Sequence, residues 1–118
     1  MADPLFDQPG LEVDVAQLAE ALERDAVTLI DVREPYEWEA GRIPGAVHVA
    51  LGELGSRASE IDRERPVVFQ CRVGGRSGMA AQAFREAGFD AWSLRGGLLD
   101  WAAAGQPLVP EGGTVADH

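Results

Sequence analysis

The alternation of apolar and polar positions predicts a chain in which short strands and helices follow one another. Asp14, with Gln17 three residues later, resembles a capping box, and apolar residues then recur at helical spacing, which predicts a helix over residues 15–23. Residues 27–32 form a short, mostly apolar run rich in branched side chains. Such a run is typical of a strand buried on both faces of a parallel sheet.

The same alternation continues to about residue 108. Apolar runs and punctuation by Pro and Gly predict strands over residues 46–50, 66–69 and 91–94, and helices over residues 35–40, 77–87 and 98–104. Strands that alternate with helices predict an α/β fold with a central, largely parallel β-sheet flanked by helices. We expect a single domain over residues 11–108, an N-terminal tail over residues 1–10 and a disordered C-terminal tail over residues 109–118.

Composition and net charge restrict the classes of function. The 118 residues are 46% hydrophobic and 25% charged, as in an ordinary soluble domain, and no apolar run approaches the roughly 20 residues of a membrane span. The N-terminus lacks the basic and apolar regions of a secretory signal, so we expect a cytoplasmic protein with no membrane partner. The formal net charge of -10 argues against nucleic acid as a partner.

Basic residues are unevenly distributed along this acidic chain. From Arg65 through Arg85 there are four arginines and no Asp or Glu, and the only cysteine, Cys71, lies among them. A small anion bound near Cys71 would account for this distribution, and a chance gap in a helix surface and a buried strand is the alternative. A lone cysteine is often a small buried apolar residue, so its surroundings must indicate its role.

The segment after the third predicted strand has the features of an anion-binding loop. Cys71 stands at the carboxyl end of that strand, where open α/β sheets bind ligands, and a helix is expected to begin near Ser77. Gly74 and Gly75 carry no side chains that would stop the backbone from curling around the sulfur. Successive N–H groups and the helix N-terminus would then stabilise a thiolate or a persulfide.

Two arginines of this loop add positive charge near the cysteine. Arg72 and Arg76 are expected to lower the pKa of Cys71, because cationic neighbours favour the thiolate. No histidine base is needed, since His48 lies in a predicted strand and His118 in the C-terminal tail. One cysteine and two scattered histidines cannot complete a usual ligand set, so we predict neither a metal nor a cofactor.

Four motifs, taken in order, resemble the rhodanese-like domain family. They are DVRE at residues 31–34, GRIPGA at 41–46, CRVGGRS at 71–77 and RGGLLDW at 95–101. Each motif is weak alone, but their order and spacing over residues 11–108 make a chance match improbable. The chain departs from the family pattern at Arg42, where the family often has His, and at Ala50, where a proline commonly follows the second strand. Both departures concern the rim of the loop and hence the preference for an acceptor.

The resemblance implies a single-domain thiosulfate sulfurtransferase. In such an enzyme the cysteine, here Cys71, attacks the outer sulfur of thiosulfate or a related donor, releases sulfite and holds a persulfide. A thiophilic acceptor such as cyanide or a thiol then removes the sulfur. The implied partners are therefore a small anionic sulfur donor and a thiol or cyanide acceptor, with a protein that accepts sulfur as an alternative.

Roles follow for the residues in and beside the loop. Cys71 is the expected nucleophile, with an inert core thiol as the alternative. Asp31 and Arg33, at the end of a neighbouring strand, are expected to support the loop, where a carboxylate could hold one of its arginines. The expected substrate-binding residues are Arg72, Val73, Gly74, Gly75, Arg76 and Ser77.

Two other functions are compatible with parts of this pattern. Cysteine phosphatases of the cell-cycle type resemble this fold but require five residues between Cys and Arg, whereas four separate Cys71 from Arg76. The shorter loop suits a single sulfur better than a phosphate. The second alternative is a non-catalytic or regulatory module that acts as a sulfur carrier or redox sensor for a partner protein.

Overall fold

Five parallel strands form the central sheet in the computed structural model, which describes residues 4–117. The strands are β1 (Glu12–Val13), β2 (Thr28–Asp31), β3 (Val47–His48), β4 (Val67–Gln70) and β5 (Ala91–Leu94). Their order across the sheet is β1-β5-β4-β2-β3, and each neighbouring pair is parallel. β4, the strand that leads into the cysteine loop, therefore lies at the centre of the sheet.

Helices connect the strands, which confirms the predicted α/β fold. They are α1 (Val15–Glu23), α2 (Pro35–Ala40), α3 (Leu54–Arg57), α4 (Gly75–Glu86) and α5 (Gly97–Ala103), with short 3-10 turns at Leu51–Glu53 and Ala58–Glu60. α1, α2 and β5 have the predicted bounds. The sequence did not indicate β1, which has only two residues and so cannot show an alternation, or the helical turns over residues 51–60.

Two hydrophobic clusters, one on each face, cover the sheet. Successive residues of β4 point to opposite faces. Phe69 accordingly lies in one cluster with Phe84 of α4, their ring centroids 4.9 Å apart. Val68 lies in the other cluster with Leu18 of α1 and Trp101 of α5. Every residue of β4 is buried, so residues 67–69 form a continuous apolar run rather than an alternating pattern, and only Gln70 is polar.

The pairing of β2 with β4 sets the position of the site. These strands are adjacent and in register, with Asp31 opposite Gln70 at their last residues. Parallel strands end at the same edge of a sheet, so residues 32–34 and 71–74 leave that edge side by side. Two segments that are distant in sequence therefore begin as neighbours.

Both terminal segments contact the domain. Phe6, in the predicted N-terminal tail, is buried. Val109 and Arg42 exchange two backbone hydrogen bonds of 2.8 and 2.9 Å. The first three residues and the last residue of the predicted tails lie outside the described part of the chain. Disorder of residues 109–118 stays a prediction.

The helices of this fold are short compared with a bilayer. The longest of those described, α4, has 12 residues. A membrane-spanning helix needs about 20 predominantly apolar residues. Within residues 4–117, no helix has the length and apolar character required to cross a membrane.

Candidate functional site

Cys71 immediately follows β4 at the carboxyl edge of the sheet, and α4 begins at Gly75. Its side chain is almost fully buried, with 1% of the residue surface exposed. Gly74 has a φ of 111°, in the left-handed region that glycine adopts without strain, and this turns the chain into α4. The turn brings the first N–H groups of α4 toward the sulfur.

Three polar groups surround the Sγ atom of Cys71. The backbone N–H of Gly74 donates to it at 3.1 Å and that of Ser77 at 3.4 Å, while the Ser77 hydroxyl oxygen lies 3.5 Å away. Groups of this kind at a helix N-terminus stabilise a bound anion. The loop therefore forms a cradle, made of residues 71–77, that favours negative charge on sulfur.

Hydrogen bonding outweighs burial in setting the pKa of Cys71. Burial is the largest single effect and raises the pKa, because a charged sulfur loses its hydration. The Ser77 hydroxyl and the N–H groups of Ser77, Gly74 and Val73 act in the opposite direction, and the pKa of Cys71 is lowered overall. The groups that dominate are therefore neutral donors rather than the arginines to which the sequence pointed.

A second buried hydroxyl lies behind Ser77. The Oγ atoms of Ser77 and of Ser93, on β5, are 2.8 Å apart. A thiolate can only accept hydrogen bonds, so with Cys71 ionised Ser77 donates to sulfur and Ser93 can donate to Ser77. Ser93 was not identified from the sequence, because only the pairing of β4 with β5 brings it beside the loop.

The N-terminus of α5 holds the loop from the opposite side. The Leu98 N–H donates to the Cys71 carbonyl oxygen at 2.8 Å, and the Leu99 N–H donates to that of Arg72 at 3.1 Å. Gly97 has a φ of 58°, and a Cβ there would lie 2.6 Å from the Arg72 carbonyl oxygen. A glycine at this position is therefore needed for α5 to approach the loop so closely.

Arg76 is bound to a carboxylate of α2. Its two terminal nitrogens donate to the two carboxylate oxygens of Glu37 at 2.7 and 3.0 Å. The Glu37 side chain is 1% exposed and that of Arg76 is 22% exposed. Burial acts to raise the pKa of Glu37, but Arg76 and the Glu34 N–H lower it below its usual value, so the carboxylate stays charged. The sequence analysis missed Glu37, whose one local signal was its capping-box spacing from Glu34.

Asp31 and Arg33 form a second, fully buried ion pair. Arg33 donates to both carboxylate oxygens of Asp31 at distances from 2.7 to 3.0 Å, and its Nη2 also donates to the Gly41 carbonyl oxygen at 2.8 Å. The pair ties the end of β2 to the end of α2. Both carboxylate oxygens of Asp31 accept from Arg33, and the loop residue Arg76 pairs with Glu37.

Arg72 contacts the C-terminal segment. Its Nε donates to the Ala116 carbonyl oxygen at 3.2 Å, and its Nη2 lies 3.6 Å from an oxygen of Asp117, which is exposed. An exposed ion pair contributes about 0–1 kcal/mol. Of the two loop arginines, Arg72 is thus the less firmly held.

The predicted site residues thus separate into two groups. Cys71, Val73, Gly74 and Ser77 converge on the sulfur. Gly75 begins α4, and Arg33, Arg72 and Arg76 each contact a carboxylate. Chemically, the arrangement can stabilise a sulfur anion through neutral N–H and O–H donors.

The parallel sheet and the cysteine loop after its central strand define the rhodanese-like class of α/β domain, whose sequence model matches residues 14–104. The chain belongs to the rhodanese-like domain family, which confirms the resemblance seen in its four motifs. Over 104 residues it is 38% identical to a sulfurtransferase of Allochromatium vinosum, a match that covers 86% of this chain and 97% of that protein.

Two further comparisons extend this result. The chain is 41% identical over 117 residues to an HTH-type transcriptional regulator of Mycobacterium tuberculosis. That match covers 97% of this chain and 51% of the regulator, so the chain spans about half of that relative's length. The crystal structure of a rhodanese-related protein from Thermoplasma volcanium superimposes with a TM-score of 0.79 at 28% identity, covering 85% of this chain and 98% of that one.

Proposed function

We propose that this protein is a sulfurtransferase that moves the sulfane sulfur of thiosulfate or a related donor through a persulfide on Cys71. The observation that carries the proposal is the surroundings of Sγ, which is buried yet accepts hydrogen bonds from the N–H groups of Gly74 and Ser77. A core thiol that stays protonated does not require hydrogen-bond donors that stabilise negative charge on sulfur. The likeness to a sulfurtransferase of A. vinosum over most of both chains supports the same proposal.

The proposed reaction has two displacement steps. The Cys71 thiolate attacks the outer sulfur of the donor, the S–S bond of the donor breaks, and its electron pair leaves with sulfite when the donor is thiosulfate. The new terminal sulfur is an anion that the N–H groups of the loop can stabilise. The acceptor, cyanide or a thiolate, then attacks this terminal sulfur, and the electron pair of the S–S bond returns to Sγ.

The other loop residues shape the pocket for the transferred sulfur. Val73 and Gly75 contribute backbone to the cradle, and Arg72 and Arg76 are the cations nearest to it in sequence. Asp31 and Arg33 support it indirectly, through the end of α2. A cytoplasmic location, and partners limited to a sulfur donor and an acceptor with no nucleic acid or membrane, belong to this proposal.

Intact-mass spectrometry tests the first step. Incubation with thiosulfate should add the mass of one sulfur atom, and cyanide or a thiol should remove it. Cys71→Ser is the control and should gain nothing, because an alcohol does not form a transferable persulfide. A sulfur adduct that persists in Cys71→Ser, or no adduct in the unmodified protein with any donor, would refute the proposal.

Steady-state kinetics test the order of the steps. If sulfite leaves before the acceptor binds, double-reciprocal plots for donor and acceptor should give parallel lines, the sign of a covalent intermediate. The N–H donors that surround Sγ support this order, because they can stabilise the sulfur anion that exists after sulfite has left and before the acceptor binds. Intersecting lines would indicate direct transfer.

A second candidate is a regulatory module that carries sulfur or senses redox state for a partner protein. The match of nearly the whole chain to half of a transcriptional regulator favours it. The two candidates differ in turnover. A regulatory module should form the Cys71 persulfide but pass its terminal sulfur only slowly to small acceptors. An enzyme should transfer the sulfur rapidly and complete many turnovers.

A further inference from the structure

Two fully buried side chains carry polar atoms that no protein group satisfies. Within residues 4–117, the buried side-chain nitrogen and oxygen atoms that have no hydrogen-bond partner are Arg33 Nη1, Gln70 Nε2 and Gln70 Oε1. Both residues have none of their surface exposed. A buried polar group without a partner is unfavourable, because it has lost its hydration and gained no hydrogen bond in exchange. These three atoms therefore require an explanation.

Alternation along β2 and β4 places Gln70 and Asp31 on the same face of the sheet. Leu29 and Val68 lie in one hydrophobic cluster. Asp31 and Gln70 each follow two residues later on the same strands, so their side chains point to the face that this cluster covers. The two residues are also opposite each other in the parallel register. Neighbouring strands lie about 4.8 Å apart, so Gln70 and Asp31 are close neighbours.

The guanidinium group of Arg33 is brought to this region by Asp31. Its Nε and Nη2 donate to the Asp31 carboxylate, and Nη2 also donates to the Gly41 carbonyl oxygen. Nη1 is the remaining terminal nitrogen, and it carries two N–H donors. Because Arg33 binds Asp31 and Asp31 is paired with Gln70 in the sheet, the three unpaired atoms lie in one region, at the carboxyl ends of β2 and β4.

The chemistry of these atoms restricts the molecule that can bind between them. It must accept hydrogen bonds from the N–H groups of Arg33 Nη1 and Gln70 Nε2, or donate one to Gln70 Oε1. It must also be neutral, because Asp31 and Arg33 already neutralise each other and an added ion would be buried without a counter-ion. Water meets both conditions, and a buried water typically makes about three hydrogen bonds to groups that are otherwise unpaired.

We propose that Gln70 and Arg33 bind an internal water molecule on the face of the sheet opposite to the Cys71 side chain, which lies in the other hydrophobic cluster. This water joins the end of β4, one residue before Cys71, to the segment that follows β2. The proposal does not depend on the proposed sulfurtransferase function, because it concerns the opposite face of the sheet.

A high-resolution crystal structure of the unmodified protein tests the site directly. Electron density for a water is expected within about 2.7–3.2 Å of Arg33 Nη1 and of a polar side-chain atom of Gln70. Crystals grown with bromide should show no anomalous peak there, because the site takes a neutral molecule. A bromide peak, an empty site or a direct hydrogen bond between the Gln70 and Arg33 side chains would each overturn the proposal.

Oxygen-17 magnetic relaxation dispersion tests the site in solution, because it detects water molecules that stay inside a protein. Gln70→Met keeps an unbranched side chain but removes both polar atoms. It should lower the dispersion amplitude by the contribution of one water, since a single remaining polar partner does not hold a buried water. Gln82→Met, at an exposed position of α4, is the matched control and should leave the amplitude unchanged. Equal amplitudes in Gln70→Met and the parent protein would contradict the proposal.

The urea unfolding midpoint of Gln70→Met gives an independent answer through its sign. If the water is bound, the substitution leaves Arg33 Nη1 buried without a partner, and the midpoint should fall. If no water is bound, the same substitution removes an unpaired amide from an apolar environment, and the midpoint should rise. Gln82→Met should shift the midpoint less, because its amide is exposed. A higher midpoint in Gln70→Met than in the parent protein would overturn the proposal.

Discussion

The connections that follow β4 and β2 leave the same edge of the sheet and are built in opposite ways. After β4, the sulfur of Cys71 is surrounded by backbone N–H groups and a hydroxyl, all of them neutral. After β2, Asp31 and Arg33 form a fully buried ion pair that reaches the Gly41 carbonyl. One connection holds the reactive atom, and the other holds the helix that carries Glu37.

This difference reflects two physical tasks. A transferable sulfur must be stabilised as an anion but still be able to leave, and neutral donors satisfy both conditions because they form no permanent ion pair with it. A scaffold instead needs a fixed geometry. A buried ion pair maintains one, because separating the two partners would leave a buried charge without compensation. The Glu37–Arg76 pair joins the two connections.

The largest effect is expected at the reactive atom. Cys71→Ser should reduce sulfur transfer to the uncatalysed background while the urea unfolding midpoint changes little, because serine is similar in size and Ser77 can still contact it. Activity assays with thiosulfate as the donor measure the first effect. Measurable turnover in this variant would assign the chemistry to another group.

In the scaffold connection, Arg33→Met should destabilise the fold by about 3–5 kcal/mol, because it leaves the carboxylate of Asp31 buried without its cation. Urea unfolding measures the change. The double variant Asp31→Leu with Arg33→Met should recover a large part of the loss, since no unpaired charge remains. If the single variant is as stable as the parent protein, the pair does not hold the end of α2.

Arg76→Met should have a smaller effect on stability, about 1–3 kcal/mol, because its side chain is partly exposed while Glu37 is buried and loses a charged donor. The same substitution made in Glu37→Gln protein should cost less, and the difference measures the coupling between the two residues. Equal costs in both backgrounds would show that the two connections are not joined through this pair.

The smallest effect is expected for Ser93→Ala. Without the Ser93 hydroxyl, Ser77 is held less firmly in the orientation that donates to the sulfur, so the pKa of Cys71 should rise. The rise should be smaller than in Ser77→Ala, because that variant loses the direct contact with the sulfur. The folded thiolate should therefore be lost at a higher pH as the solution is acidified. The pH profile of iodoacetamide alkylation measures this. Ser56→Ala, at an exposed position, is the control and should not change the profile.

The sequence by itself determined the elements whose signals are local. The capping box of Asp14 and Gln17 is present, with hydrogen bonds of 2.9 and 2.8 Å, and α1 has the predicted bounds. The loop of residues 71–77 was identified from an apolar run, two glycines and a helix start, all within one short segment. Local signals suffice here because a strand end and the helix N-terminus that follows it are covalently linked and need few long-range contacts.

Only the tertiary structure decided which distant residues complete the site. Glu37 reaches Arg76 across 39 residues, and Ser93 reaches Ser77 across 16. The strand order places β4 between β5 and β2, so residues that precede and follow the loop in sequence flank it in space. Glu37 has only its capping-box spacing from Glu34, which marks the start of α2 and not the site, and no motif marks Ser93. Their roles arise from parallel pairing, which local apolar and polar patterns do not specify.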